Sequence, residues 1–300
     1  MTLRITDQGL ANSRLAWITE GRARSAQAET EISSGRKLDQ ASDDPAAAAQ
    51  MMRYDIRLQR LGQYQRNNAR ARLWVDGADS ALQSVSNNLA RAKTIAVQAG
   101  NDILGPAENE ALAADIRAIA EEIRTAANMK ASGRALFSGT SDAVDPYDGT
   151  NTYLGDAGVV ELSIDKNETI EVGSPGPDAF GTSNPLDPYN GSVFEVLNQL
   201  ADSIVAEDNA MVRDGIEAVD AAADRIGSIL GKVGALSQQL DAAEARHSGE
   251  EISVEANVSK LRDTDLAEAM IRLRSAEAGY EATLASTARG MSSSLLDFLR

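Results

Sequence analysis

Apolar residues recur along most of this chain at alternating intervals of three and four. From Leu61, the positions Tyr64, Asn68, Ala71, Val75, Ala78, Leu82, Val85, Leu89, Ala92, Ala96 and Ala99 keep that spacing without a break. This is the seam of a helix that packs lengthwise on others. At 1.5 Å per residue, such a helix would be roughly 60 Å long. Gly100, Gly105 and Pro106 end it, and Leu112, Ile116, Ile119, Ile123 and Ala126 predict a second helix over about 107–130 that folds back antiparallel. The pattern returns after Ser192, a candidate N-cap. Phe194, Leu197, Ala201 and Ile204 form one stripe; Val212, Ile216, Val219, Ala223, Ile226, Leu230 and Val233 form another that extends to Leu240. The run RHSGEE at 246–251 predicts a polar link with His247 exposed in it, followed by a further short helical piece, ISVEANVSKL.

The two ends carry thinner stripes. Ala11, Leu15, Ile18, Ser25, Ala28 and Ile32 predict a first helix. Gly35 stands where a C-cap glycine would stop it, Asp44 where an N-cap would start the next, and Pro45 at the first helical position, where a missing N–H costs nothing. SGRKLDQAS (34–42) is then a polar linker between two helices. Near the other end, Asp265 and Glu268 are spaced like a capping box. Leu266, Met270, Leu273, Glu277, Tyr280, Leu284, Thr287, Met291, Ser294 and Phe298 continue a three–four register. Arg14, Arg22, Arg24, Glu277, Thr287 and Ser294 interrupt these terminal stripes. Stripes so thin bury little. The ends therefore either stay disordered in a monomer until neighbours supply surface, or complete an intramolecular bundle. If neighbours order them, the candidate interface is Leu15, Trp17, Ile18 and Ile32 on the first helix. On the last helix it is Leu266, Met270, Leu273, Tyr280, Leu284, Met291, Leu295 and Phe298, with Gly35, Asp44 and Pro45 as the joint.

Between 136 and 191 the texture changes. Five of the seven prolines fall between 146 and 188, which breaks any helix there. Val160, Leu162 and Ile164 alternate with polar residues, as do Ile170 and Val172 beyond the polar DKNE, and this predicts a short β-hairpin with turn-rich flanks. The expected fold is mainly α: a long antiparallel, coiled-coil-like bundle formed by N- and C-terminal segments, with a small, exposed β-rich insertion in the middle. The expected domains are 1–42 with 264–300, 43–135 with 192–263, and 136–191.

Composition narrows the chemistry. Alanine dominates the 43% hydrophobic fraction and aromatics make up only 4%, which favours long thin helices over a thick core. With no Cys and a single His, thiolate metal sites, Cys nucleophiles and His clusters are excluded. The net charge of −16 is concentrated: residues 138–220 hold 17 Asp and Glu against Lys166 and Arg213. Dispersed basic residues in an acidic chain argue against nucleic-acid binding, and no apolar run is long enough to span a membrane. The first residues lack the apolar stretch of a cleavable signal peptide. Asp142, Asp145 and Asp148 offer a loose Ca²⁺-loop pattern whose spacing does not match an EF-hand; a solvated acidic loop is the plainer expectation. Trp17 and Trp74 are expected as anchors, Trp17 for an intersubunit contact. No nucleophile–base pair stands out, so no enzymatic activity and no cofactor are expected.

Several stretches carry a resemblance. ISSGRKLDQASDDPAAAAQM, RNNARARLWVDGADSALQSV, GRALFSGT, PGPDAFG and DTDLAEAMIRLRSAEAGYEATLASTARGMSSSLLDFL occur in this order. Together they resemble the flagellin superfamily, and within it the hook-associated branch that sits where hook meets filament. Pro45, where filament flagellins usually have Ala, points to that branch. The resemblance implies terminal helices in the inner layer of a helical tube and heptad helices in the layer outside. SGRKLDQAS and SKLRDTD would be the joints between layers. It also implies export through the flagellar type III apparatus without cleavage, and a place outside the cell in the flagellum. The implied partners are other copies of the chain in a ring or helical layer, a hook-side junction protein, flagellin, and a cytoplasmic chaperone on the C-terminal helix. Filament flagellin, and a secreted adhesin presenting the β insertion on a helical stalk, are the alternatives.

Overall fold

The computed structural model describes residues 3–38, 40–101, 105–142 and 145–298, with side chains described from 12 to 289 apart from that of residue 14. The elements run α1 (Leu3–Ser34), α2 (Pro45–Asn101), α3 (Pro106–Ala127), β1 (Lys130–Ala131), β2 (Arg134–Ala135), β3 (Val160–Asp165), β4 (Glu168–Val172), α4 (Gly176–Phe180), α5 (Val193–Val205), α6 (Asn209–Arg262) and α7 (Leu266–Phe298). The fold is mainly α, with long helices packed on one another and little strand. The chain forms two compact units, Met1–Gln59 with Glu250–Arg300, and Arg60–Gly249. Helices α2 and α6 contribute residues to both.

In the unit Arg60–Gly249 the heptad seam of α2 is the spine of the core. Leu82, Val85, Leu89, Ala92 and Ala96 are fully buried, as are Ile226 and Leu240 of α6. Each Leu or Val buried in this way stabilises the fold by about 1.5–3 kcal/mol. The two helices run antiparallel, since Arg72 pairs with Asp241 while Lys93 binds Asp220 at 2.6 Å. One seam position is polar. Asn68 is buried and donates from Nδ2 to the Leu240 carbonyl at 3.0 Å, while its Oδ1 has no partner among the described residues. A polar group at such a position lowers stability but disfavours slipped registers. Helix α3 packs on α5, and Arg117 reaches Asp202 at 2.8 Å.

Local signals act where the sequence places them. The Ser192 hydroxyl accepts from the Glu195 N–H, while the Glu195 carboxylate accepts from the Ser192 N–H at 3.0 Å, a reciprocal capping box. The hairpin β3–β4 is antiparallel with Val160 opposite Val172 and Leu162 opposite Ile170. Its buried residues Ile164, Ile170 and Val172 belong to the same core as an aromatic cluster. Phe137 meets Phe180 edge-on at 5.2 Å, and Tyr147 lies 4.9 Å from Phe194. The insertion holds the small strand content expected in the middle of the chain, but it is less exposed than expected. Besides the hairpin it holds turns, the short helix α4 and a 3-10 turn at Pro188–Asn190, and its inner side belongs to the core. The two-residue ladder β1–β2 precedes position 136.

One expectation fails outright. The run at 246–251 is not a link: α6 continues unbroken through it to Arg262. His247 is not exposed but 1% accessible, stacked on Tyr64 of α2 at 5.9 Å. The reason is positional. Leu240, Ala243, His247, Val254 and Val258 are all buried on this face of α6, so the seam simply passes through a histidine. An aromatic partner covers the ring, although neither ring nitrogen has a hydrogen-bond partner among the described residues.

Candidate assembly interface

The unit Met1–Gln59 with Glu250–Arg300 is built on the pairing of α1 with α7. Small residues let its two helices approach. Ala28 and Ala269 are buried, and a Cβ added at Gly21 would stand 3.4 Å from the Tyr280 ring, so glycine there lets the two helices approach closely. An ionic tie between the two helices is partly buried. Arg272 of α7 binds the Glu31 carboxylate at 2.9 Å, and Gln27 donates to the other Glu31 oxygen at 3.3 Å. Arg272 also lies 3.5 Å from the Thr264 hydroxyl.

Several large apolar side chains of the same helices stay outside this contact. Trp17 is 59% exposed, and Leu15, Leu266, Met270 and Leu284 are exposed as well; Ile18, Ile32, Leu273 and Tyr280 are half-buried. Met291, Leu295 and Phe298 lie outside the described side chains. A groove of about 780 Å³ runs along the pair between Trp17, Arg24 and Glu31 on one side and Ile271, Gly279 and Tyr280 on the other. Two helices that bury alanines and expose tryptophan, leucine and methionine gain little from each other. Their larger apolar side chains stay at the surface. The register of α7 missed Ile271, which is 69% exposed. It lies one position off the three–four stripe, where a sequence pattern assigns solvent.

Between α1 and α2, Gly35, Asp44 and Pro45 take local cap geometry. Gly35 follows α1 with φ +67°, a left-handed conformation that other residues adopt only at a cost. Asp44 accepts from the N–H groups of Ala46 and Ala47, both at 2.9 Å, and Pro45 opens α2. Asp265 does the same for α7, accepting from Ala267 at 2.9 Å. What the sequence did not reveal is that the two joints bind each other. Lys37 donates its N–H to the Arg262 carbonyl at 2.6 Å, Thr264 donates to Gly35 at 3.0 Å, and Arg36 bridges Asp263 antiparallel. The Asp263 carboxyl is held below the usual carboxylate range by the Ser259 hydroxyl and by Arg262. No local pattern signals a bridge between residues more than two hundred positions apart.

The acidic loop resolves into separate partners. Asp145 pairs with Lys130 at 3.2 Å and Asp142 lies 3.9 Å from Arg134. Asp148 accepts from Thr150 and Thr152 within its own turn, and the Thr150 hydroxyl holds its carboxyl below the usual range. Among the described residues no three His, Cys, Asp or Glu are grouped to hold a metal ion, and no helix is long and apolar enough to cross a membrane. Trp74, unlike Trp17, is buried, with the Arg134 guanidinium 6.0 Å from its ring centre.

Long paired helices, an α1–α7 pair with several large apolar residues exposed, and a compact hairpin region define a mainly helical protein of the flagellin type. Residues 5–142 match the bacterial flagellin N-terminal helical region, and residues 216–299 match the bacterial flagellin C-terminal helical region. The chain belongs to the flagellin superfamily. Within it, the chain is similar to flagellar hook-associated protein 3 of Salmonella typhimurium, 28% identical over 197 residues that cover 64% of this chain and 62% of that one. It is also similar to flagellar hook-associated protein 3 of Escherichia coli, 26% identical over 212 residues, covering 69% and 64%. The chain thus spans somewhat under two thirds of the length of these two relatives. Its fold is shared with the crystal structure of the flagellar junction protein FlgL from Legionella pneumophila, with a TM-score of 0.59 at 16% identity over 71% of this chain and 99% of that one.

Proposed function

We propose that this chain is a structural subunit of the bacterial flagellum that joins the hook to the flagellin filament by helical self-assembly. The observation that carries this is the α1–α7 pair, whose small residues face inward while Trp17, Met270 and Leu284 face outward. In the assembly, residues 1–42 with 264–300 form the inner layer, 43–135 with 192–263 the helical layer outside it, and 136–191 the outward insertion. Gly35, Asp44 and Pro45 turn the chain between layers. The neighbours are other copies of the chain, a hook-side junction protein and flagellin. A cytoplasmic chaperone covers the apolar face of α7 before the flagellar apparatus exports the chain. The likeness to hook-associated protein 3 supports this reading over filament flagellin.

A strain lacking the protein tests it. Hooks should form while flagellin appears in the medium rather than in attached filaments, and antibody–gold should mark the hook–filament boundary in the parent. Attached filaments of normal length in the deletion strain would overturn the junction role.

A further inference from the structure

The middle of α6 contains three glycines on one face, Gly227, Gly231 and Gly234, at intervals of four and three. All three are exposed, and a Cβ added at any of them would meet no heavy atom within 4 Å. Close packing therefore does not require them. It does require Gly215 in the same helix, where a Cβ would stand 2.8 Å from Leu200 and 3.1 Å from Tyr189. The opposite face of the segment is ordinary seam, with Ile226, Ile229 and Val233 buried. The polar ties of α6 to other elements stand on either side of it. Lys93 holds Asp220 at 2.6 Å, Gln239 reaches Glu168 at 3.0 Å, and Arg72 pairs with Asp241. Among the described residues, no side-chain hydrogen bond or ion pair links residues 221–238 to another element, and Nη1 of Arg225, buried there, has no partner.

Glycine inside a helix loses the most backbone freedom on folding and favours opening over alanine. We propose that Gly227, Gly231 and Gly234 make the centre of α6 a compliant segment, where the helix opens and bends locally while its tethered flanks stay folded. Each glycine multiplies the open population about fivefold relative to alanine, and three in one stretch act together to an order of a hundredfold. This holds whichever neighbours the chain takes in the flagellum.

Native-state hydrogen exchange on the full chain tests the proposal. Amides of residues 228–238 should exchange at least tenfold faster than those of 216–222 and 241–247. The triple variant Gly227→Ala/Gly231→Ala/Gly234→Ala should slow the central segment at least tenfold; the open space at all three positions leaves no clash to prevent folding. Gly231→Ala alone should slow it about fivefold. Gly249→Ala, the same substitution at another exposed open position, should leave residues 228–238 unchanged. Uniform protection along α6, an unchanged rate in the triple variant, or an equal slowing by Gly249→Ala would each overturn it.

Discussion

Thr264 donates its backbone N–H to the carbonyl oxygen of Gly35 at 3.0 Å. The bond ties the segment that leaves α1 to the segment that enters α7. The two joints are one object, and residue 35, which adopts φ +67°, supplies the acceptor. A side chain there costs about 1–2 kcal/mol. Gly35→Ala should therefore raise hydrogen exchange at Lys37 and Thr264 together, about tenfold or more, while leaving the core of residues 60–249 untouched. Separate responses of the two amides would show the joints to be independent.

Arg272 ties the terminal helices by an ion pair, and Glu31 is its more buried partner. Arg272→Met leaves that carboxylate without its cation. Because Arg272 is partly exposed, a cost of about 1–2 kcal/mol is expected. Adding Glu31→Gln should recover most of it. A double-mutant cycle read by exchange in α1 and α7 measures the coupling, and additive effects would deny it.

Leu284 is exposed on α7, whereas Leu240 is fully buried on α6. Leu240→Asp places a charge in the seam and should unfold the core, lowering the melt by well over 10 °C, since unpaired burial costs several kcal/mol. Leu284→Asp should shift the melt by less than about 2 °C and permit export, yet abolish attached filaments. Equal destabilisation by both changes would mean that Leu284 serves the free chain rather than assembly.

His247 buries two ring nitrogens that find no partner among the described residues. His247→Phe keeps an aromatic ring against Tyr64 and removes both. Relief of about 1–3 kcal/mol is expected, and the melting temperature should rise by several degrees. A fall would reveal a hydrogen bond to water or to a neighbour at that site.

Glu195 carries the acid dependence of the α5 cap. Burial pushes its carboxyl up, but hydrogen bonds from Ser183, from the Asn184 N–H and from Ser192 outweigh this and leave it below the ordinary value. A depressed carboxylate contributes stability that is present above the unfolded value, near 4.3–4.5, and is lost as pH falls through the folded one. Glu195→Gln should be less stable than the parent at pH 6, and the two should converge as pH falls below the unfolded value and through the lower folded one. A difference that stays constant over this range would remove the ionised carboxylate from the cap.

Much of this protein is legible in one dimension because its structure repeats along one. The seam from Leu61 to Ala99 follows from a three–four spacing that only a lengthwise helix contact satisfies, and all its members prove buried or half-buried. Caps are local chemistry as well. Asp44, Ser192 and Asp265 bind N–H groups two or three residues ahead, so the sequence contains both partners. The hairpin is local for the same reason.

Other features depended on partners distant in the chain. Gly249 and the polar run around it stop a helix on propensity alone, but Tyr64 covers His247, and Arg57 binds Glu250 across from α2; α6 continues because burial and pairing outweigh a local preference worth about 1 kcal/mol. The aromatic cluster of the insertion draws Phe137, Tyr147, Phe180 and Phe194 from four separate stretches. Patterning determined by itself most of the apolar faces, Ile271 apart. Only the tertiary structure decided which of them are spent within the chain and which, like Trp17 and Leu284, remain available, because burial is a property of two surfaces and a sequence displays one.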